Sequence, residues 1–123
     1  MRDSDTTSDS RFKDTSVEDV LSVIGDAANI DVRKGYFPET VQGLGDSKFA
    51  FVMIDFDKYE PTVAALEFFY PRMSLGGFIF VHDYNNPESN WAYSRALNEF
   101  LADRPEWPIA VPDAWGSVLL RKQ

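Results

Sequence analysis

The fold is decided by the stretch FAFVMIDFDKYEPTVAALEFFYPRMSLGGFIFVHDY, residues 49–84. Two short apolar runs, Phe49 to Ile54 and Phe78 to Val81, are separated in it by a segment long enough for a helix. Continuous apolar runs of this length, rich in Val, Ile and Phe, are typical of strands buried on both faces of a parallel sheet. Because parallel neighbours need a long crossover, usually a helix, the stretch predicts a parallel β-α-β unit.

Acidic and imidazole side chains follow both predicted strands. Asp55 and Asp57 come after the first strand, and His82 and Asp83 come after the second. If the strands are neighbours, their carboxyl ends lie roughly 5 Å apart, at the edge where open α/β sheets bind ligands. Three carboxylates gathered there repel one another, and Mg²⁺ or Mn²⁺ is the simplest neutralising ion. Such a metal lowers the pKa of substrate hydroxyls, and a spare carboxylate accepts the proton.

Each of these residues also has a purely structural interpretation. Asp57 suits the first turn of the next helix, where the helix dipole stabilises an acid. Asp83 suits a turn, and a single histidine beside an apolar strand is often only packed or hydrogen-bonded. The sequence leaves these alternatives open.

Composition narrows the class of protein. The chain has 123 residues, a formal net charge of −8 and no cysteine. The charge argues against nucleic acid and anionic membrane surfaces as partners, and no apolar run approaches the roughly 20 residues of a membrane helix. The lack of cysteine excludes disulfides and thiolate metal sites. We therefore expect a cytoplasmic protein.

The remaining chain predicts one α/β domain. Residues 1–11 are polar and are expected to form a loose or disordered arm, and residues 12–123 form the domain. A capping box of Thr15 and Glu18 opens a helix, and Ile30 to Tyr36 is predicted to be a strand. Pro61 suits the first position of the crossover helix.

The second half of the chain predicts a closing antiparallel unit. Pro71 ends the crossover helix, and Gly76-Gly77 leads into the second strand. Ser89 or Asn90 is expected to cap another helix, which Pro105 ends. The segments Trp107–Val111 and Trp115–Leu120 then form a hairpin. The fold class is therefore α/β, with parallel strands, crossover helices and a C-terminal antiparallel hairpin.

Several motifs in this order resemble the C-terminal block of the macrocin O-methyltransferase (TylF-like) family. That block has a strand ending D-x-D-x-Y-E-[PS]-T, a helix ending L-Y-P, a G-G pair and a strand ending D-D-Y. This chain has DFDKYEPT (55–62), FYP (69–71), GG (76–77) and HDY (82–84), with KGYFPET (34–40) matching an upstream motif and Trp115-Gly116 matching the end. The resemblance covers nearly everything from about Phe12 onward.

The resemblance implies a partial Rossmann-like class I methyltransferase sandwich. Family members use S-adenosylmethionine and carboxylate-bound Mg²⁺ to methylate hydroxyl groups on sugars of natural products. By this resemblance, Asp57 is the general base, and Asp55 and Asp83 bind the metal. His82 takes the position of the family's first acid, and we include it among the metal ligands.

The resemblance also implies a cofactor pocket and a missing region. Gly35, Tyr36 and Phe37 are expected near the adenine side of S-adenosylmethionine. The glycine-rich loop and the ribose-binding acid of class I methyltransferases have no counterpart in this sequence, so the chain resembles a C-terminal half. We therefore expect a homo-oligomer, or pairing with another chain, through an unpaired strand edge.

Three functions follow from these observations. The first is a metal-assisted O-methyltransferase, or its C-terminal portion, acting on a small hydroxylated or glycosylated molecule. The second is a catalytically inactive remnant that serves as an interaction or structural module. The third takes Asp55-Phe56-Asp57 as the D-x-D motif of a metal-dependent glycosyltransferase, although that motif alone is common.

Overall fold

The computed structural model describes residues 15–25 and 28–123. It contains three α-helices and four strands: α1 (Val17–Ile24), β1 (Phe49–Ile54), α2 (Tyr59–Phe69), β2 (Met73–Val81), α3 (Ala92–Leu101), β3 (Ile109–Ala110) and β4 (Val118–Arg121). Short 3₁₀ turns occupy Glu39–Val41, Tyr70–Arg72 and Pro87–Ser89. The predicted N-terminal arm, residues 1–11, lies outside the described residues.

The four strands form one mixed sheet in the order β1-β2-β4-β3. β1 and β2 are parallel neighbours, with Ile54 opposite Val81, and α2 connects them. β4 runs antiparallel to β2 and to β3. The predicted β-α-β unit and the C-terminal antiparallel hairpin are both confirmed.

Only one face of the sheet carries the hydrophobic core. α2 and α3 pack against each other and against this face, burying side chains such as Val52, Ile54, Leu66, Val81 and Leu97. The opposite face is apolar but open: Phe51, Met53 and Phe78 are 58%, 53% and 37% exposed. The prediction that β1 and β2 are buried on both faces is therefore wrong. A run of apolar residues shows which strand surfaces are suited to burial, but not whether both are covered.

β2 is longer than predicted because the glycine pair lies inside it. The strand begins at Met73, and its register with β1 is irregular between Phe49 and Phe51. A Cβ on Gly77 would lie 2.8 Å from the Ala50 carbonyl oxygen and 2.9 Å from that of Ser74. Gly77 thus allows two main-chain segments to approach more closely than any other residue would.

The predicted strand from Ile30 to Tyr36 is not formed. This segment is irregular, and it is held by Arg33, whose Nη1 donates to the carbonyl oxygens of Thr40 (3.1 Å) and Gln42 (2.7 Å). A strand needs a neighbour to satisfy its N–H and C=O groups. No strand of the described residues pairs with this segment, and the guanidinium holds it in a loop.

The helix starts differ from the predicted caps. Ser16, rather than Thr15, caps α1, and its hydroxyl accepts from the Asp19 N–H at 3.0 Å. α2 begins at Tyr59, so Pro61 is its third residue rather than its first. α3 begins after Trp91, which has φ 57° and makes no side-chain cap. Sequence signals therefore located each helix to within two or three residues.

No helix within residues 15–25 and 28–123 has the length and apolar character that crossing a membrane requires.

Candidate functional site

The four candidate residues are positioned by the carboxyl ends of β1 and β2. The His82 N–H donates to the Ile54 carbonyl oxygen at 3.0 Å, which extends the parallel ladder one step beyond β2. Asp55 therefore leaves β1 beside the point where His82 leaves β2. The structure brings the two strand ends together as the β-α-β pattern predicted.

His82 lies between two carboxylates. Its Nδ1 is 3.2 Å from Asp55 Oδ1 and 3.2 Å from Asp83 Oδ1. Neither contact has hydrogen-bonding geometry, so this buried nitrogen lacks a hydrogen-bond partner among the described residues. The imidazole thus lies beside two carboxylates without a hydrogen bond from Nδ1 to either of them.

Asp57 is joined to the site by Tyr93, a residue of α3. The Asp57 N–H donates to the Tyr93 hydroxyl at 2.5 Å. The same hydroxyl is 3.3 Å from Asp55 Oδ1 and 3.4 Å from Asp57 Oδ1, so it can donate to either carboxylate. Burial raises the pKa of Tyr93 well above its ordinary value, and the phenol keeps its proton for this purpose.

Sequence reasoning missed Tyr93. The residue is fully buried, and it precedes Ala96, Leu97 and Phe100 by three, four and seven positions. Residues at this spacing lie on one face of a helix, so the sequence pattern predicts that Tyr93 is buried with them. Its contact with the two carboxylates, however, depends on how α3 crosses the sheet, which the spacing does not reveal.

Asp83 is held by the hairpin that closes the sheet. Its N–H donates to the Ser117 hydroxyl oxygen at 3.1 Å, and the Ser117 N–H donates to Asp113 Oδ1 at 2.8 Å. Burial raises the pKa of the Asp83 carboxyl, and the charges of Asp57 and Asp55 add to the rise against the opposing effect of His82. Ser117 and Asp113 are supporting residues that the sequence did not single out.

The loops at this end of the sheet contain left-handed backbone at residues other than glycine. Asp57, Asp83, Asn90 and Trp91 have φ between 51° and 58°. Each such residue costs on the order of 1–3 kcal/mol, and such conformations cluster at functional sites. The side chains of Asp57 and Asp83 therefore project from left-handed backbone, which a regular strand end does not adopt.

The predicted cofactor residues lie in the loop before β1. Tyr36 is 80% exposed. Phe37 packs on Phe56, with ring centroids 5.3 Å apart, and on Phe69, at 6.0 Å. Because Phe56 separates Asp55 from Asp57, this contact places the Gly35-Tyr36-Phe37 segment beside the acidic strand end.

The types of donor atom at this site suit a divalent cation, whereas their positions do not form a complete metal site. Two carboxylate oxygens and one imidazole nitrogen are ligand types that Mg²⁺, Mn²⁺ and related ions accept in proteins. The unsatisfied Nδ1 of His82 and the neighbouring acids leave room for a positive charge. Yet no three His, Asp or Glu side chains in the described part of the chain form a ready metal centre. The donor types are therefore suitable, while the arrangement of the described residues is not that of a complete metal site.

The carboxylates at the strand ends are partly exposed, with 49% of the Asp55 side chain and 16% of the Asp83 side chain accessible. A cleft of about 500 Å³ lies elsewhere, between α2 and α3, where Tyr59, Glu99 and Arg104 contribute to its walls. None of the four strand-end residues lines it.

Comparison with known proteins identifies similar sequences and folds. The family model described as macrocin-O-methyltransferase (TylF) matches residues 8–116. Over 50 residues the chain is 42% identical to the 8-demethyl-8-(2,3-dimethoxy-alpha-L-rhamnosyl)-tetracenomycin-C 4'-O-methyltransferase of Streptomyces olivaceus; the match covers 41% of this chain and 19% of the relative.

Two solved structures share the fold. The O-methyltransferase NovP is 25% identical, with a TM-score of 0.72, over 89% of this chain and 46% of NovP. CalS11, a TDP-rhamnose 3'-O-methyltransferase of calicheamicin biosynthesis, is 24% identical, with a TM-score of 0.56, over 68% of this chain and 35% of CalS11. The chain thus spans less than half the length of each of these proteins.

Proposed function

The chain belongs to the macrocin-O-methyltransferase (TylF) family, and we propose that it carries the acid–base part of a methyl transfer from S-adenosylmethionine to a hydroxyl group. The acceptor class we propose is a sugar-bearing natural product, because one similar protein is named for a rhamnosyl-tetracenomycin and another for TDP-rhamnose. The observation that supports this function best is the convergence of Asp55, Asp57, His82 and Asp83 at one end of the sheet.

Asp57 is the proposed general base. S-adenosylmethionine, when bound, supplies an electrophilic methyl group on a sulfonium. The acceptor oxygen forms the new C–O bond as the C–S bond breaks, and Asp57 accepts the hydroxyl proton. Tyr93 is a positioning residue: it accepts from the Asp57 N–H and lies within reach of the Asp57 carboxylate, so it fixes the direction in which that carboxylate points.

Asp55, His82 and Asp83 are the proposed ligands of a divalent cation, with Mg²⁺ as the first choice. An ion held there would supply positive charge beside the acceptor hydroxyl and favour its deprotonation. The protein's own contribution is to hold one oxygen of each carboxylate 3.2 Å from His82 Nδ1. Since an imidazole replaces one acid of the family motif, we expect a softer metal preference, with Mn²⁺ bound at least as well as Mg²⁺.

Gly35, Tyr36 and Phe37 are the proposed contacts for the adenine side of the cofactor. Their support is the packing of Phe37 on Phe56, which fixes this loop next to the acidic cluster. The exposed ring of Tyr36 provides an aromatic surface for a purine.

Titration calorimetry of the chain with MnCl₂ and MgCl₂ tests the metal site. We expect one site per chain that Asp55→Asn weakens at least about tenfold, while Asp46→Asn, an exposed acid outside the cluster, leaves it unchanged. Equal affinity in the two variants would reject these ligands.

Titration with S-adenosylmethionine, with and without the metal, tests whether the chain binds the cofactor by itself, and no binding in either case would mean that it is not an enzyme by itself. An inactive remnant binds neither ligand, and in it Asp55→Asn leaves function intact and stabilises the fold by relieving repulsion. The similar proteins named above are methyltransferases, which favours the first function over the glycosyltransferase interpretation of the D-x-D motif.

A further inference from the structure

Ser117 is a buried polar residue at the start of an apolar strand. It immediately precedes β4, and Val118 and Leu120 of that strand belong to the hydrophobic core. Ser117 itself is fully buried among the described residues. Because burying a hydroxyl group is unfavourable unless the group forms hydrogen bonds, the partners of this hydroxyl show what the residue contributes.

The Ser117 hydroxyl lies between Asp83 and Asp113. Its oxygen accepts from the Asp83 N–H at 3.1 Å. Hydrogen bonds from the Ser117 side chain and from the Ser117 N–H, the latter 2.8 Å long, lower the pKa of Asp113. The hydroxyl proton therefore points to the Asp113 carboxylate. Since a hydroxyl group can donate and accept at the same time, Asp113 fixes this hydroxyl in the orientation in which it accepts from Asp83.

The backbone of Asp83 needs such a restraint. Its φ is 51°, in the left-handed region, which is unfavourable for a residue other than glycine. In this conformation Asp83 Oδ1 lies 3.2 Å from His82 Nδ1. Rotation of φ toward the extended region would turn the carboxylate away from His82. The hydrogen bond to Ser117 holds the peptide group that begins this torsion, and it therefore opposes the rotation.

The turn that contains Asp113 also holds the other side of the loop after β2. The Asn85 N–H donates to the Trp115 carbonyl oxygen at 2.8 Å. Gly116 has φ 63°, and a Cβ at this position would lie 2.7 Å from Asn85 Nδ2. Glycine thus allows the turn to approach the loop this closely. Residues 113–117 therefore contact the loop both before and after Tyr84, which fixes Asp83 from two sides.

We propose that Ser117, oriented by Asp113, is the positioning residue of Asp83 and thereby sets how tightly the acidic strand end binds a divalent cation. This role rests on the proposed function, in which Asp83 is a ligand of that cation. Replacing a residue that orients a metal ligand typically weakens metal binding by about 10- to 100-fold. A purely structural role of Ser117 would change the stability of the fold and leave the metal affinity of the folded protein unaltered.

Two measurements on the full chain test this role: amide hydrogen exchange by NMR, and titration calorimetry with MnCl₂. We expect Ser117→Ala to speed exchange at Asp83 at least about tenfold relative to exchange at the buried Ile79 of β2, which reports opening of the whole fold. The same variant should weaken Mn²⁺ binding at least about tenfold. Circular dichroism verifies that the variant is folded.

A variant at an exposed position keeps the test decisive if Ser117→Ala does not fold. Asp113 is exposed, and Asp113→Ala is expected to change both measurements in the same direction by at least about threefold, as for the loss of one hydrogen bond. Asp113→Asn keeps an oxygen acceptor for Ser117 and is expected to restore both values to within about twofold. Asp46→Ala, which removes an exposed acid outside the cluster, is the matched control and is expected to change neither.

Three outcomes would contradict this role. Unchanged exchange at Asp83 in both alanine variants, in a chain that binds Mn²⁺, would overturn the role of Ser117 alone. Faster exchange with unchanged Mn²⁺ affinity would also overturn it, because the contact would then be purely structural. A chain that binds no Mn²⁺ would reject the metal site of the proposed function and the role of Ser117 with it.

Discussion

The hydroxyl of Tyr93, in α3, lies 3.3 Å from Oδ1 of Asp55, the residue that follows β1. The same oxygen accepts the N–H of Asp57. The buried phenol of Tyr93 therefore links α3 to the carboxylates that follow β1. The site is consequently coupled to the packing of α3, and substitutions there should be measurable as changes in stability as well as in activity.

Replacing Tyr93 by Phe should destabilise the fold by about 1 kcal/mol, the usual net value of a lost hydrogen bond. The Asp57 N–H loses its acceptor while the ring still fills the core. Urea unfolding measures the change. Tyr36→Phe is the control, since Tyr36 is exposed. Equal unfolding midpoints for Tyr93→Phe and the unaltered protein would show that the hydroxyl has no structural role.

Gly77→Ala should destabilise the fold by about 1–3 kcal/mol, the typical cost of overpacking. The new Cβ would lie 2.8 Å from the Ala50 carbonyl oxygen, and main-chain atoms of a paired strand cannot move aside without breaking the β1–β2 register. Gly45→Ala is the matched control, because nothing lies within 4 Å of a Cβ there. Thermal unfolding compares the two. Equal thermal stability of Gly77→Ala and the unaltered protein would contradict the close approach of β1 and β2 at this position.

The buried carboxylate of Glu106 should give the fold a pH dependence. Its two oxygens accept from the Tyr70 hydroxyl at 2.9 and 2.8 Å, and one accepts from the Gln123 N–H at 3.2 Å. Burial by itself would raise the pKa of Glu106, but these hydrogen bonds and the nearby Lys122 outweigh it and lower the pKa below 4.5. Burial and the bond to Glu106 raise the pKa of Tyr70 to about 12.

A carboxyl group whose pKa is lowered by folding stabilises the protein fully above its unfolded pKa, and this contribution disappears as the pH falls through its folded pKa. The difference in unfolding free energy between the unaltered protein and Glu106→Gln should therefore be constant above about pH 5.5 and shrink below pH 4.5. Urea titrations between pH 3 and pH 7 measure it. A difference that grows on acidification would contradict the hydrogen bonds assigned to Glu106.

The sequence predicted the centre of the fold well because its signals are local. The apolar runs at Phe49–Ile54 and Phe78–Val81, one helix length apart, sufficed for the parallel pair. The convergence of Asp55 with His82 followed from that pairing. The remaining errors have a common origin in contacts between distant residues. Whether a second layer covers Phe51, whether Ile30–Tyr36 finds a neighbouring strand, and where the Tyr93 hydroxyl points all depend on such contacts.

The left-handed backbone of Asp57 and Asp83 shows the same limit at the site itself. Asp55 and Asp57 are two positions apart, and residues at this spacing share a face only while the chain stays extended. With φ at 58° for Asp57, the chain has already left the strand, and Tyr93 rather than alternation brings the two carboxylates together. The sequence placed the four strand-end residues near one another, whereas the residues that contact or support them, Tyr93, Ser117 and Asp113, became visible only in the structure.

The central claim is that Asp57 accepts the acceptor's proton in a methyl transfer, and a chimera tests it most directly. In the chimera this chain replaces the matched region of NovP, and methyl transfer from labelled S-adenosylmethionine to a NovP substrate is followed. We expect methylation by the chimera and a kcat at least about 100-fold lower for Asp57→Asn, the usual size of a general-base effect, with cofactor affinity unchanged. An active chimera in which Asp57→Asn retains full kcat would contradict the claim.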